Sequence, residues 1–111
     1  MDTQLAVDAI RTLNDEFRQT LRGGIVVFTA AVLALGDQAQ AEILKTVAEL
    51  DRFDPDNDPH GEHDFGTFEF EGQRLFFKID YYDLALYWHS PNPADPEVTT
   101  RVLTVMLAEE Y

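Results

Sequence analysis

Apolar positions along the chain alternate between a helical period and a two-residue period, and each change of period marks an element. Leu5, Ala9, Ile10, Leu13 and Phe17 recur at three- and four-residue spacing, which predicts an amphipathic helix over 3–21. Asp2 stands where an N-cap belongs, and Gly23-Gly24 ends the element. Ile25 to Thr29 is β-branched and aromatic, the composition of a short buried strand. Ala30 to Leu35 reads as a turn or short helical piece. Asp37 is placed to cap a second helix, with Gln40 in the capping-box position and Ile43, Leu44, Val47 and Leu50 facing inward. Pro55 and Pro59 then forbid regular structure. Beyond them Phe68 and Phe70 alternate with Thr67 and Glu69. Leu75, Phe77, Ile79 and Tyr81 alternate with Arg74, Phe76, Lys78 and Asp80. These are two strands, 67–71 and 74–81, joined by a tight hairpin at Glu71-Gly72.

Leu84 to Trp88 is a candidate third strand of this meander, and Ser90 to Pro96 is a loop. Asp95 with Pro96 has the form of a cap and first position of a last helix. Val98, Val102, Val105 and Met106 form its stripe, widened by Leu103 and Leu107. The expected fold is a single α+β domain over 1–111, an antiparallel sheet of three to four strands packed with three helices, the last helix crossing one face.

Charge changes the picture more than length does. The chain has 111 residues, 45% of them apolar, which suits one ordinary globular domain. Its 21 acidic residues against 8 basic ones give a net charge of -13. The excess concentrates in the stretch from Asp51 to Asp64, which holds six acids and one arginine. Such a field repels nucleic acid and anionic lipid and attracts cations and basic protein surfaces. The absence of cysteine excludes disulfides, thiolate chemistry and Cys-ligated zinc. It also fits a reducing cytoplasm, the expected location. The start, MDTQLAVDAIR, lacks the pattern of a signal peptide, and the apolar run from Gly24 to Gly36 is too short to span a bilayer.

The segments DPDNDPHGEHDFG (54–66), FFKIDYYD (76–83) and PADPEVTTRVLTVMLAEEY (93–111) resemble a family of small bacterial proteins of unknown function. LNDEFR (13–18) and VVFTAAVLALG (26–36) fit the same family, so the resemblance covers nearly the whole chain. Its members are frequent on plasmids and other mobile elements. The resemblance implies no catalytic residue. It points toward accessory functions of mobile DNA, including stability modules and inhibitors of host restriction or CRISPR immunity.

Candidate chemistry centres on the acidic stretch. Asp54, Asp56 and Asp58 stand at alternate positions, as do the first oxygen ligands of an EF-hand loop. That match fails at Pro59, where glycine is required, and at Phe65, where a bidentate glutamate is required. His60 and His63, with Asp58, Glu62 and Asp64, make a second metal candidate, with His89 as a distant further ligand. No nucleophile elbow, phosphate-cradling glycine loop or zincin motif occurs, and Ser90 has no supporting motif. Arg11, Arg18 and Arg22 are the densest basic set and are offset by Asp8, Asp15 and Glu16, so direct nucleic-acid binding is not expected.

The sequence therefore favours a non-enzymatic binding protein with no cofactor. Asp54, Asp56, Asp58, Glu62, Asp64, Asp80, Tyr82 and Asp83 are its expected contacts with a basic protein. In an extended segment Asp54, Asp56 and Asp58 would present charges roughly 6.6 Å apart, loosely like a single-strand backbone. The most concrete reading is an anti-defence inhibitor that covers the nucleic-acid-binding surface of a CRISPR effector or restriction enzyme. The alternatives are a metal-binding module or metal-dependent enzyme at residues 54–64, and an antitoxin-like regulatory partner. Tyr82 and Asp80 are expected on the sheet face opposite the core, and Tyr81 on the core face.

Overall fold

The computed structural model describes residues 3–111. Asp2, the expected N-cap of the first helix, lies outside the described residues. The elements run α1 (Thr3–Thr20), β1 (Gly24–Phe28), α2 (Ala30–Leu33), α3 (Asp37–Glu49), β2 (Phe65–Phe70), β3 (Gln73–Tyr82) and β4 (Thr100–Leu107), followed by a 3-10 turn at Ala108–Glu110. The four strands form one sheet in the order β1-β4-β3-β2. β2 and β3 are an antiparallel hairpin, with Phe70 opposite Gln73. Glu71 and Gly72 both take positive φ, 50° and 81°. That is the twist a two-residue hairpin connection demands. β3 pairs antiparallel with β4, and β4 pairs parallel with β1, so the sheet is mixed, which corrects the wholly antiparallel sheet expected.

The helices lie on one face. Leu75, Phe77 and Ile79 of β3 alternate inward with Leu103, Val105 and Leu107 of β4, and all are buried. They meet Phe17 of α1, Val32 of α2, and Ile43 and Val47 of α3. Phe77 has no exposed surface, and its truncation to alanine would cost about 3–5 kcal/mol. Gly66 on β2 lets this layer close, since a Cβ there would collide with the Phe77 ring and the Leu50 side chain.

Three further expectations are corrected. Residues 98–107 are not a helix but include β4, one of the two inner strands. Thr99, Thr100, Val102, Thr104 and Val105 are β-branched, which stiffens χ1 and favours the pleat. The apparent helical stripe arises because a central strand carries apolar groups on both faces. Asp95 does accept an N–H, that of Glu97 at 2.9 Å, but it closes a turn with no helix behind it. Leu84 to Trp88 is a turn rather than a strand. The capping box of α3 does not form. Gly36, φ 98°, is its N-cap, and Gln40 donates its side-chain N–H to the Leu33 carbonyl. The third helix of the fold is thus the four-residue α2, between β1 and α3.

Among the described residues, the other sheet face carries no α-helix. Ile25 and Val27 of β1 are 42% and 41% exposed. Toward β2, Tyr111 sets its ring edge-on against Phe65 and Phe76, both at 5.5 Å. No described helix is long and apolar enough to cross a membrane.

Candidate functional site

The acidic loop between α3 and β2 is held by its inward side. Asp58 is 7% exposed, and its carboxylate accepts the backbone N–H groups of Glu62 and His63 at 3.0–3.2 Å. Asp54 accepts from the Asp56 amide at 2.9 Å through its side chain, and from Asn57 and Asp58 through its carbonyl. Residues 55–57 are consequently a turn. Asp54, Asp56 and Asp58 do not form the extended outward row that their spacing suggested. Asp54 and Asp56 face solvent, while Asp58 faces in.

α1 is the anchor. Arg11 donates to the Gly61 carbonyl at 3.0 Å. His63 bonds Asp15 through Nδ1 at 2.9 Å and stacks flat on Phe53, with centroids 3.9 Å apart. Arg18, 2% exposed, donates to Asp15 and to the carbonyls of Val47 and Leu50. Its Nε finds no acceptor, and the guanidinium lies over the Phe53 and Phe77 rings instead.

Beneath the loop sits a buried polar chain. Asn14, with no exposed surface, donates to the Glu62 carbonyl at 3.0 Å and to the Tyr81 hydroxyl at 2.8 Å. Tyr81 donates to the Glu62 carboxylate at 2.9 Å. Arg101, 3% exposed, donates through Nε to Asn14 Oδ1 at 2.8 Å and lies over the Tyr81 ring. A second donation, to the Pro93 carbonyl, ties down the segment before β4. Burial drives the Tyr81 hydroxyl far above its ordinary pKa, and the nearby acids add to this. Burial also pulls the Arg101 guanidinium down. Tyr81 is on the core face, as its strand register predicted, but its hydroxyl reaches a polar network. Sequence reasoning missed Asn14, Arg18 and Arg101. The signal was present for two of them, since Asn14 and Arg18 share the helical stripe of Ile10 and Phe17.

The second loop follows β3. Asp83 organises it. Its carboxylate accepts the Tyr87 amide at 3.0 Å, its carbonyl accepts from Leu86, and its own N–H reaches the Trp88 carbonyl at 2.8 Å. Leu86 takes a positive φ of 66° to complete the turn. The isolated bridge between Tyr82 and His89, and the Ser90 N–H bond to the Tyr81 carbonyl, close the base. Below it Ser90 and Thr99 share a hydroxyl hydrogen bond of 2.7 Å. The backbone is thus well tied, yet the side chains point out. Tyr87 is 80% exposed, Trp88 75% and Leu84 64%. Contiguous exposed apolar groups of this size mark interaction surfaces.

Beside this loop is a groove of about 400 Å³ lined by Asp64, Ile79, Asp80, Tyr81, Tyr82 and His89. The fold therefore brings three expected contact residues, Asp64, Asp80 and Tyr82, to one place, with Asp83 at its margin. Glu62 points into the buried chain, and Asp58 into its own loop. Asp80 pairs with Lys78 at 3.1 Å. Asp64 is pushed up to about 6, mainly by burial and next by the Glu62 charge. A carboxyl group with its pKa raised in this way keeps its proton to higher pH, and in the protonated form it can donate as well as accept a hydrogen bond. Among the described residues, no three His, Asp or Glu side chains converge as metal ligands. His63 is tied to Asp15, and His89 Nδ1 to the Ser90 carbonyl at 2.9 Å.

No curated protein and no solved structure matches the chain. Residues 28–110, a range that takes in both loops, match the model of the family described as protein of unknown function (DUF3768), and the chain belongs to that family.

Proposed function

We propose that this chain is a non-enzymatic binding protein whose aromatic loop and acidic groove dock together on a basic surface of another protein. The observation that carries the reading is the exposed Leu84-Tyr87-Trp88 group, held on a hydrogen-bonded turn beside Asp64, Asp80 and Tyr82. Exposed aromatics on a rigid turn lose little freedom on binding and supply most of an interface's energy. The net charge of -13 steers the complex toward cationic partners and away from nucleic acid and anionic membranes. Asp54 and Asp56, outward on the neighbouring loop, extend the negative surface, while Asp58 and Glu62 hold that loop in shape. The most concrete form is an anti-defence inhibitor acting in the cytoplasm. Its target would be the DNA-binding face of a CRISPR effector or restriction enzyme, where lysines and arginines arranged for phosphates also attract fixed carboxylates. An antitoxin-like regulator would use the same surface on a different basic protein.

The test is affinity capture with the wild type, with Tyr87→Ala/Trp88→Ala, and with Glu42→Lys/Glu49→Lys on α3 as a charge control. The proposal expects a basic, DNA-binding protein held by the wild type and the α3 control, released by the aromatic double variant and weakened by salt. It also expects that protein's DNA binding to fall when the complex forms. A partner indifferent to both Trp88 and salt would overturn it, and a captured toxin in place of a DNA-binding effector would select the regulatory form.

A further inference from the structure

We propose that β1 is the contact between two copies of this chain, which pair antiparallel through their β1 edges into one eight-stranded sheet. β1 is bonded to β4 on one side only and stands at the end of the sheet order. The Thr29 N–H reaches the Val105 carbonyl on β4. By alternation the backbone groups of Ile25 and Val27 also turn toward β4, and those of Val26 turn to the free edge. An unpaired edge is a template for another strand, and proteins usually block it with lysine, proline or a bulge. Here no charged residue and no proline occurs between Gly23 and Gly36. That uncharged stretch stands out in a chain of net charge -13, whose surfaces elsewhere repel a second copy.

The edge complements itself. A two-fold axis through Val26 makes it a hydrogen-bonded pair with its own counterpart. Ile25 then lies directly opposite Val27 of the second copy, and Val27 opposite Ile25. Both side chains stand on the sheet face that carries no helix, 42% and 41% exposed, and the pairing joins them into one β-branched cluster. Charge is also arranged in opposite senses at the two ends of the strand. Arg22 precedes β1, and Thr29, whose hydroxyl holds the Glu110 carboxylate at 2.8 Å, follows it. Each copy thus offers a cation at one end of β1 and a carboxylate at the other, and the two-fold brings unlike ends together.

The experiment is sedimentation of the wild type and of Ile25→Lys/Val27→Lys, with a cysteine pair, Ile25→Cys/Val27→Cys, oxidised in a chain that has no other cysteine. The proposal expects a wild-type mass twice 12.6 kDa. It also expects a folded monomer for the lysine variant and a covalent dimer for the cysteine variant, since directly opposed positions meet disulfide geometry. A monomeric wild type at its highest soluble concentration would overturn the proposal and leave the edge to a strand from another protein. A dimer that survives the lysine substitutions would overturn it too. If the lysine variant fails to fold by circular dichroism, the cysteine variant decides: no covalent dimer, no β1 contact.

Discussion

In the loop before β2, Asp58 lies 7% exposed with its carboxylate binding two amides, whereas in the loop after β3, Trp88 lies 75% exposed at the end of a closed turn. The first loop holds six acids and looks made for solvent, yet Asp58 and Glu62 serve the interior. The first part of the second, residues 83–90, holds one acid, Asp83, and looks made for a core, yet its large side chains face out. The difference teaches that composition does not assign a loop's role, because partners for the backbone do. Around Asp58 the chain turns back on itself and needs a buried acceptor. Around Asp83 the same need is met at the surface, which frees the aromatics.

Four changes would break or sharpen that contrast. The largest effect belongs to Asn14→Leu, which strips an acceptor from the buried Arg101 and a donor from Tyr81. Urea unfolding should show a loss of roughly 3–5 kcal/mol. A loss under 1 kcal/mol would mean that the acidic loop is not anchored as described. Trp88→Ala comes next but acts elsewhere. Its stability should stay within about 0.5 kcal/mol of wild type, while partner affinity falls by about 2 kcal/mol, roughly thirtyfold. Asp58→Ala reverses that pattern, costing about 2 kcal/mol of stability by orphaning the Glu62 and His63 amides. Measured side by side, the two variants should separate fold from binding; equal behaviour would erase the distinction between the loops.

The smallest effect tests Asp64. Its native pKa of about 6 lies above the ordinary 3.8, so the folded state holds its proton longer than the unfolded chain. The site has no cost below the lower value, loses stability as pH rises between the two, and carries the full cost above the higher. Asp64→Asn should therefore stabilise the protein at about pH 7.5 and leave it unchanged near pH 3.5, as read by thermal melts. Because the carboxyl is only half-buried, screening reduces the gain to about 1 kcal/mol. Equal melting shifts at both pH values would show that the carboxyl titrates as an ordinary aspartate.

Most of the α+β framework was legible. α1, β1, α3 and the β2-β3 hairpin each carry one clear period and their own stop signals. β4 was not, because Val98, Val102, Val105 and Met106 satisfy helical spacing while Arg101, Leu103, Val105 and Leu107 satisfy the alternation. Deciding between them needed the β-branched content, and the neighbours of β4 lie far away in sequence. For the candidate site, strand register placed Asp80 and Tyr82 together on the face opposite Tyr81. The exposure of Trp88 could not be read, since it follows from the Asp83 turn and not from any pattern in Leu84 to His89.

The place of β4 has a consequence for synthesis. It joins β1 on one side to the hairpin on the other, so α1, β1 and α3 cannot meet their sheet until residue 107 has been made. A ribosome-bound chain that stops at residue 95 holds a hairpin and three helices with no strand to unite them. Long-range closure of this kind makes folding wait for the whole segment, and the early product exposes Ile25 to Phe28 meanwhile. Nascent chains should stay protease-sensitive until β4 has emerged and then become resistant in one step.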